Sequence, residues 1–331
     1  MIENQGKMEI PTDNLTDSAV AARNLSKGYD KGQLAVDSLD LDIRPGEVFG
    51  LLGPNGAGKT TTIRMLLGLL RPTSGQVFIH GEEITTGRQK VKTKLGVCPQ
   101  ETVLWPELTV SEHLSLIGRM YDVPAKTLRA DAERLIEEFS LGEKRNQPVK
   151  RLSGGLKRRL NLALALVHGP DVIMLDEPSA GLDPQSRALL WERITRLTED
   201  GRRTVILTTH SMEEADRLSD RVGILDHGRM LVLDAPDTLK RSIGEGDVLE
   251  VDLDRAPSPE AVEALRRHGL VEHDSAAATT ISVRGLNIME RFPGIVEALA
   301  ASSVMIRNTR LRPNTLEDVF LKLTGRSLRD G

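Results

Sequence analysis

Eight consecutive residues, Gly53, Pro54, Asn55, Gly56, Ala57, Gly58, Lys59 and Thr60, carry the strongest chemical signal in the chain. The glycines let backbone amides curl around phosphate oxygens, Lys59 can reach the β and γ phosphates of a nucleotide, and the Thr60 hydroxyl can ligate Mg²⁺. The run lies between an apolar strand pattern, Val48–Leu52, and a helical pattern beginning near Thr60. That helix N-terminus adds amide donors and a positive potential. A second signal is the apolar run Val172, Ile173, Met174 and Leu175, which ends in Asp176 and Glu177. Burial of such a strand places Asp176 at the carboxyl edge of a sheet, where ligands of open α/β sheets bind, and suits it to hold Mg²⁺. Glu177 is the expected general base for an attacking water. Two acids after a strand are also an ordinary solvated turn, so the reading depends on their pairing with the phosphate loop.

A third motif, Leu152, Ser153, Gly154, Gly155 and Leu156, precedes the acidic strand and resembles the LSGGQ signature of ABC ATPases. Other landmarks of that family follow the same order between about residues 20 and 235. Tyr29 stands where the adenine-stacking aromatic stands, and Gln100 after Pro99 resembles the glutamine loop. Ser179 to Asp183 resembles the D-loop, and His210 after Thr208 and Thr209 resembles the switch histidine. The resemblance implies an ATPase that binds ATP with Mg²⁺ and dimerises head to tail. Tyr29, the loop Gly53 to Thr60 and Thr61 would hold ATP in one subunit, with Ser153, Gly154 and Gly155 supplied by the other. Thr60, Gln100 and Asp176 would hold the metal, while Lys59, Gln100, Glu177 and His210 would serve catalysis. The fifth signature residue departs from the pattern, being Leu156 instead of glutamine. Tyr29 also reads as a plain core aromatic, and Trp105 reads equally as core or as part of a surface for a membrane partner.

These residues need a scaffold. Strand-like runs at Val48–Leu52, Val77–Ile79, Val172–Leu175, Val205–Thr208, Val222–Leu225 and Met230–Leu233 alternate with helical patterns. That order predicts an α/β fold, a mostly parallel sheet with helices on its faces. Between Gln100 and Ser153 the pattern turns helical, with capping-box spacing at Thr109 and Glu112 and an apolar stripe of Leu128, Leu135, Ile136 and Phe139. The expected organisation is a tail at 1–18, a nucleotide-binding cassette at 19–235 with a helical subdomain at about 101–165, and an accessory α+β domain at 236–331. In that last region the predicted order is strand 248–253, helix 259–268, strands near 270–273 and 280–283, helix 289–301, strand 304–311 and a final helix 316–323. It matches a small ferredoxin-like unit.

Composition narrows the classes. The 331 residues are 39% hydrophobic and 28% charged with a net charge of −4, so neither nucleic acid nor anionic lipid is an expected general partner. The run Lys157, Arg158, Arg159 reads as a solvated face. The single cysteine, Cys98, excludes an internal disulfide framework and reads as a small buried hydrophobe. No apolar run approaches the roughly 20 residues that span a bilayer, so a membrane role must come from a separate permease subunit.

The ending, Arg312 to Asp330, resembles the terminus of ATPase subunits in daunorubicin-resistance-type exporters of the type 2 branch. Export at the cytoplasmic face of the membrane, as a homodimer or heterodimer of ATPase subunits, is the expectation. An importer ATPase and a soluble ABC protein acting on nucleic acid or ribosomes are the alternatives. The stretch between Lys59 and Ser153 is too short for the coiled-coil insertion of DNA-repair members.

Overall fold

A computed structural model describes residues 17–325, apart from 30–31, 85–90, 92, 245 and 273–278. The tail expected at 1–18 therefore lies outside the described residues except for its last two, as does everything after Gly325. The chain forms two compact units that divide between Asp234 and Ala235.

The first unit begins with strands β1 (Val20–Gly28), β2 (Leu34–Ile43) and β3 (Val48–Leu52), then helix α1 (Lys59–Leu66). Strands β4 (Ser74–Ile79), β5 (Glu82–Glu83) and β6 (Leu95–Cys98) follow, then helices α2 (Val110–Met120), α3 (Ala125–Glu138) and α4 (Gly154–Leu166). The unit closes with β7 (Val172–Asp176), α5 (Pro184–Arg196), β8 (Thr204–Thr209), α6 (Met212–Leu218), β9 (Arg221–Asp226) and β10 (Arg229–Asp234). Six strands form one sheet in the order β10-β9-β3-β8-β7-β6, and all its neighbours run parallel except the terminal hairpin β9-β10.

Side chains of these strands alternate between two cores because successive residues point to opposite faces. Ile173, Leu175, Val205 and Leu207 join Leu160 of α4, Trp191 of α5 and the helical segment on one side. Val172, Met174, Ile206 and Phe49 join Ile63 and Leu66 of α1 on the other. Cys98 is buried in the first core, where desolvation pushes its thiol up to about 11.

One expectation fails here. Val77–Ile79 does not enter the parallel sheet; β4 belongs to a separate antiparallel sheet, β2-β1-β4-β5. Apolar content alone does not distinguish a strand of the central sheet from one in a second layer packed against it.

The helical segment follows its sequence signals. Thr109 and Glu112 form a reciprocal capping box at the start of α2, and Leu128, Leu135, Ile136 and Phe139 are buried together. Each such fully buried side chain contributes ~1.5–3 kcal/mol.

The second unit contains α7 (Pro236–Ser242), β11 (Asp247–Leu253), α8 (Pro259–Leu265), β12 (Leu270–Glu272), β13 (Thr280–Gly285), α9 (Phe292–Ala301), β14 (Ile306–Arg312) and α10 (Leu316–Thr324). Its sheet order, β12-β13-β11-β14, is antiparallel throughout and is the split β-α-β arrangement. Helix α9 starts at Phe292 instead of Met289, because Pro293 is tolerated only in a first helical turn. Helix α7 had no counterpart in the sequence reading. The ending contains a fastening: Arg312 donates two hydrogen bonds to Asp318, at 2.7 and 2.9 Å, and one to Glu250. Asp318 also caps α10 with Thr315, and Asn314 donates to the carbonyls of Lys240 and Gly244.

Each unit has an apolar core of its own. A chain ending at Asp234 is expected to melt cooperatively in circular dichroism, and residues 235–331 to do the same alone. A non-cooperative melt of either piece would contradict that independence.

Candidate active site

The parallel strands converge their carboxyl ends. β3 leads into Gly53, β6 into Gln100, β7 ends in Asp176 and β8 ends one residue before His210. In the loop after β3, Gly56 and Gly58 have φ of +80° and +105°, which side-chain-bearing residues rarely adopt. A Cβ on Gly58 would lie 2.3 Å from the Ala35 carbonyl oxygen, and one on Gly53 2.3 Å from that of Leu225. Those two glycines let the loop sit directly against its neighbours. Gly56 instead faces open space, as does the exposed Asn55.

Lys59 is 6% exposed. Its Nζ donates to the carbonyls of Gly53 and Pro54, at 2.8 and 3.1 Å, and lies 4.0 Å from Glu177 Oε1. Burial holds its pKa below the ordinary lysine value, opposed by Glu177 and Asp176. Thr60 and Thr61 follow on α1 and are half-buried.

The two acids are held by Thr208 on the adjacent strand. Its hydroxyl donates to Asp176 Oδ1 at 2.5 Å and accepts from the Glu177 amide at 3.2 Å. That amide also donates to the Thr208 carbonyl at 3.1 Å. Glu177 has φ +46°, a left-handed conformation outside the strand geometry. Its carboxylate accepts from Gln100 Nε2 at 3.1 Å and lies 3.0 Å from His210 Nδ1. Gln100, Glu177, His210, Lys59 and Asp176 thus meet at one sheet edge.

Tyr29 sits at the end of β1 with about half its surface exposed, so it is not a core aromatic. Trp105 is also half exposed, which corrects its core reading, and its backbone amide donates to Nε2 of the fully buried His113 at 3.0 Å. Ser153 caps α4 by accepting from the Leu156 amide, and Gly154 faces open space. A Cβ on Gly155 would meet Ser186 Oγ at 2.6 Å. Among the described residues no hydrogen bond joins Ser153, Gly154 or Gly155 to the phosphate loop of the same chain. Leu156 is half-buried and packs on the core beneath α4.

The basic run is where sequence reasoning went wrong. Arg158 is 4% exposed, not part of a solvated face, and donates to five backbone carbonyls around the site. The only sequence signal was its spacing from Leu162 and Ala165, four and seven residues further along α4, which sets it on an apolar stripe of that helix without showing what it contacts. Thr208 was missed as a holder of both acids, because a threonine inside an apolar strand carries no distinctive pattern.

Over 312 residues the chain is 40% identical to the Nod factor export ATP-binding protein I of Ralstonia nicotianae, which covers 94% of this chain and 95% of that protein. The chain belongs to the ABC transporter ATP-binding subunits. The family model described as ABC transporter matches residues 36–180. A solved ATP-binding subunit of an ABC transporter is 30% identical with a TM-score of 0.62, over 69% of this chain and 94% of that one. A dimeric ATP-binding cassette, bound to ADP and Pi in a post-hydrolysis state, is 27% identical with a TM-score of 0.59, over 65% of this chain and 98% of that one.

As a member of this family the chain is an ATPase that uses ATP with Mg²⁺. The site's chemistry fits that cofactor pair. The glycine loop opens outward at Gly56, a buried ammonium lies beneath it, and the Thr60 hydroxyl, Asp176 carboxylate and Gln100 amide oxygen are the hard oxygen donors Mg²⁺ prefers.

Replacing Thr208 with valine keeps the shape but removes the hydroxyl that serves Asp176 and the Glu177 amide. We expect a loss of about 1–3 kcal/mol in urea unfolding of the first unit. ATP turnover should fall with it, and wild-type turnover together with wild-type stability would show that this clasp is dispensable.

Proposed function

We propose that two copies of this chain close around two ATP molecules with Mg²⁺ and so drive export through a separate membrane-spanning permease. The observation that carries the chemistry is the Glu177 carboxylate, shared between Gln100 and His210 and 4.0 Å from Lys59. In this reading Glu177 is the base that polarises water, His210 orients it, and Asp176, Thr60 and Gln100 hold the metal. Lys59 and the backbone N–H groups of Gly53 to Thr60, Pro54 excepted, neutralise the β and γ phosphates, with Thr61 beside them. Tyr29 offers an exposed ring to the adenine. Ser153 and the amides of Gly154 and Gly155, of which Ser153 and Gly154 are exposed in one subunit, complete the γ-phosphate site of the other.

The dimeric relative bound to ADP and Pi supports the paired arrangement, and the export protein named above supports the direction of transport. The export protein aligns along nearly the whole chain, beyond the cassette. The resemblance of its ending, Arg312 to Asp330, supports a reading within the daunorubicin-type exporter branch; in that ending Arg312, Asn314, Thr315 and Asp318 tie the last helix down. No described helix is long and apolar enough to cross a membrane. Contact with the bilayer is made through the permease, at its cytoplasmic face, and the permease selects the cargo.

Glu177→Gln keeps the shape of the site and removes the base. Turnover should fall about 10²- to 10⁴-fold, and size-exclusion chromatography with Mg-ATP should show a persistent dimer. A monomer at every ATP concentration would refute the paired site. Lys59→Ala should weaken equilibrium nucleotide binding and nearly abolish hydrolysis, because the phosphate charge loses its buried counter-charge. Unchanged hydrolysis by that variant would overturn the site assignment.

A further inference from the structure

Arg158 lies on α4, five residues after Ser153 and roughly 7.5 Å further along the helix axis. Its Nε donates to the Pro178 carbonyl at 2.6 Å. Nη1 donates to Pro99 at 2.6 Å and Gln100 at 3.1 Å, and Nη2 to Asp176 at 2.9 Å and Glu177 at 3.0 Å. One buried guanidinium therefore fastens three segments together: the signature helix, the start of the glutamine loop and the end of the acidic strand. Asn161, on the same face of α4, adds a longer contact of 3.4 Å to Pro99.

We infer that Arg158 is a positioning residue that ties the placement of Ser153 to the placement of Gln100 and Glu177 in the same chain. Hydrogen bonds from a charged donor are about twice as strong as neutral ones, and the Arg158 side chain that makes these is itself buried. Helix α4 cannot shift away from β7 without breaking them or carrying the five carbonyls with it. The fork geometry is what makes this possible, since its donors diverge in a plane, whereas a lysine offers one point of attachment. Glu177 gains most, because its left-handed backbone is gripped by Thr208 at the amide and by Arg158 at the carbonyl. The consequence is coupling: the signature, which in the proposed dimer meets the partner's ATP, and the base, which serves this chain's own ATP, are tied through one guanidinium, so a displacement of one is resisted at the other. This inference rests on the dimer reading and on Glu177 as the base, which Glu177→Gln tests separately.

The test compares Arg158→Lys and Arg158→Met in the full-length chain, with circular dichroism to confirm folding. The expected result for Arg158→Lys is Mg-ADP affinity within about twofold of wild type, while kcat falls by up to about 10²-fold, the penalty of a small misplacement. The Hill coefficient for ATP should fall towards that of independent sites. Arg158→Met should show the same split more strongly. Wild-type kcat and cooperativity in folded Arg158→Lys would overturn the inference, as would a parallel loss of Mg-ADP affinity and kcat. Should both variants fail to fold, hydrogen exchange on the wild-type chain decides. With a non-hydrolysable ATP analogue, amides near 153–160, 99–101 and 176–178 should gain protection at one common nucleotide concentration, and separate midpoints would refute the coupling. If Glu177→Gln hydrolyses ATP normally, the base reading fails, yet the common midpoint still tests the mechanical link.

Discussion

Parallel pairing of β6, β7, β8 and β3 is the constraint on which the site depends. The register sets Cys98 beside Leu175, Asp176 beside Thr208 and Leu52 beside Thr209. Four strands therefore end level, and the residues that follow them arrive at one edge. A slip of one residue in any pair would turn its side chains to the opposite face. A slip between β7 and β8 would also take Asp176 away from Thr208, its hydrogen-bond donor. The two cores above and below the sheet prevent such a slip, because Val172 and Met174 fit one and Ile173 and Leu175 fit the other.

The level edge brings together groups that are costly to hold. Lys59 is a buried ammonium, satisfied by loop carbonyls and faced by two acids. Glu177 occupies a left-handed backbone conformation, a strain of roughly 1–2 kcal/mol for a residue with a Cβ. Thr208 and Arg158 offset that strain with hydrogen bonds to both sides of the residue. A phosphate chain placed at this edge would meet the ammonium and the loop amides already in position. Much of the cost of organising charge is met during folding and not during the reaction.

The second unit solves a different problem. It carries none of the nucleotide motifs, yet its polar residues are as tightly committed, with Arg312 spanning Glu250 on β11 and Asp318 on α10. Those bonds raise the Arg312 pKa further above its ordinary value and lower that of Asp318, so the pair stays charged across the neutral range. The motif at the chain's end is thus a clasp for a helix before it is anything else.

How much was legible beforehand depended on whether a signal is local. The phosphate loop, the capping box of α2 and the acidic end of β7 are written in adjacent residues, because backbone geometry and strand burial act over a few positions. The β-α-β-β-α-β order of the second unit was readable for the same reason. The antiparallel sheet containing β4, the helix α7, the exposure of Tyr29 and Trp105 and the roles of Thr208 and Arg158 were not. A strand's sheet, and the side of a helix on which an arginine lies, depend on what packs against it from distant parts of the chain. Arg158 shows the limit most clearly: its sequence neighbours are basic and suggest water, while its spatial neighbours are five carbonyls. Local patterns of adjacent residues name the reactive groups and their order along the chain. Which of those groups share one edge follows from long-range strand register and core packing, which no run of adjacent residues encodes.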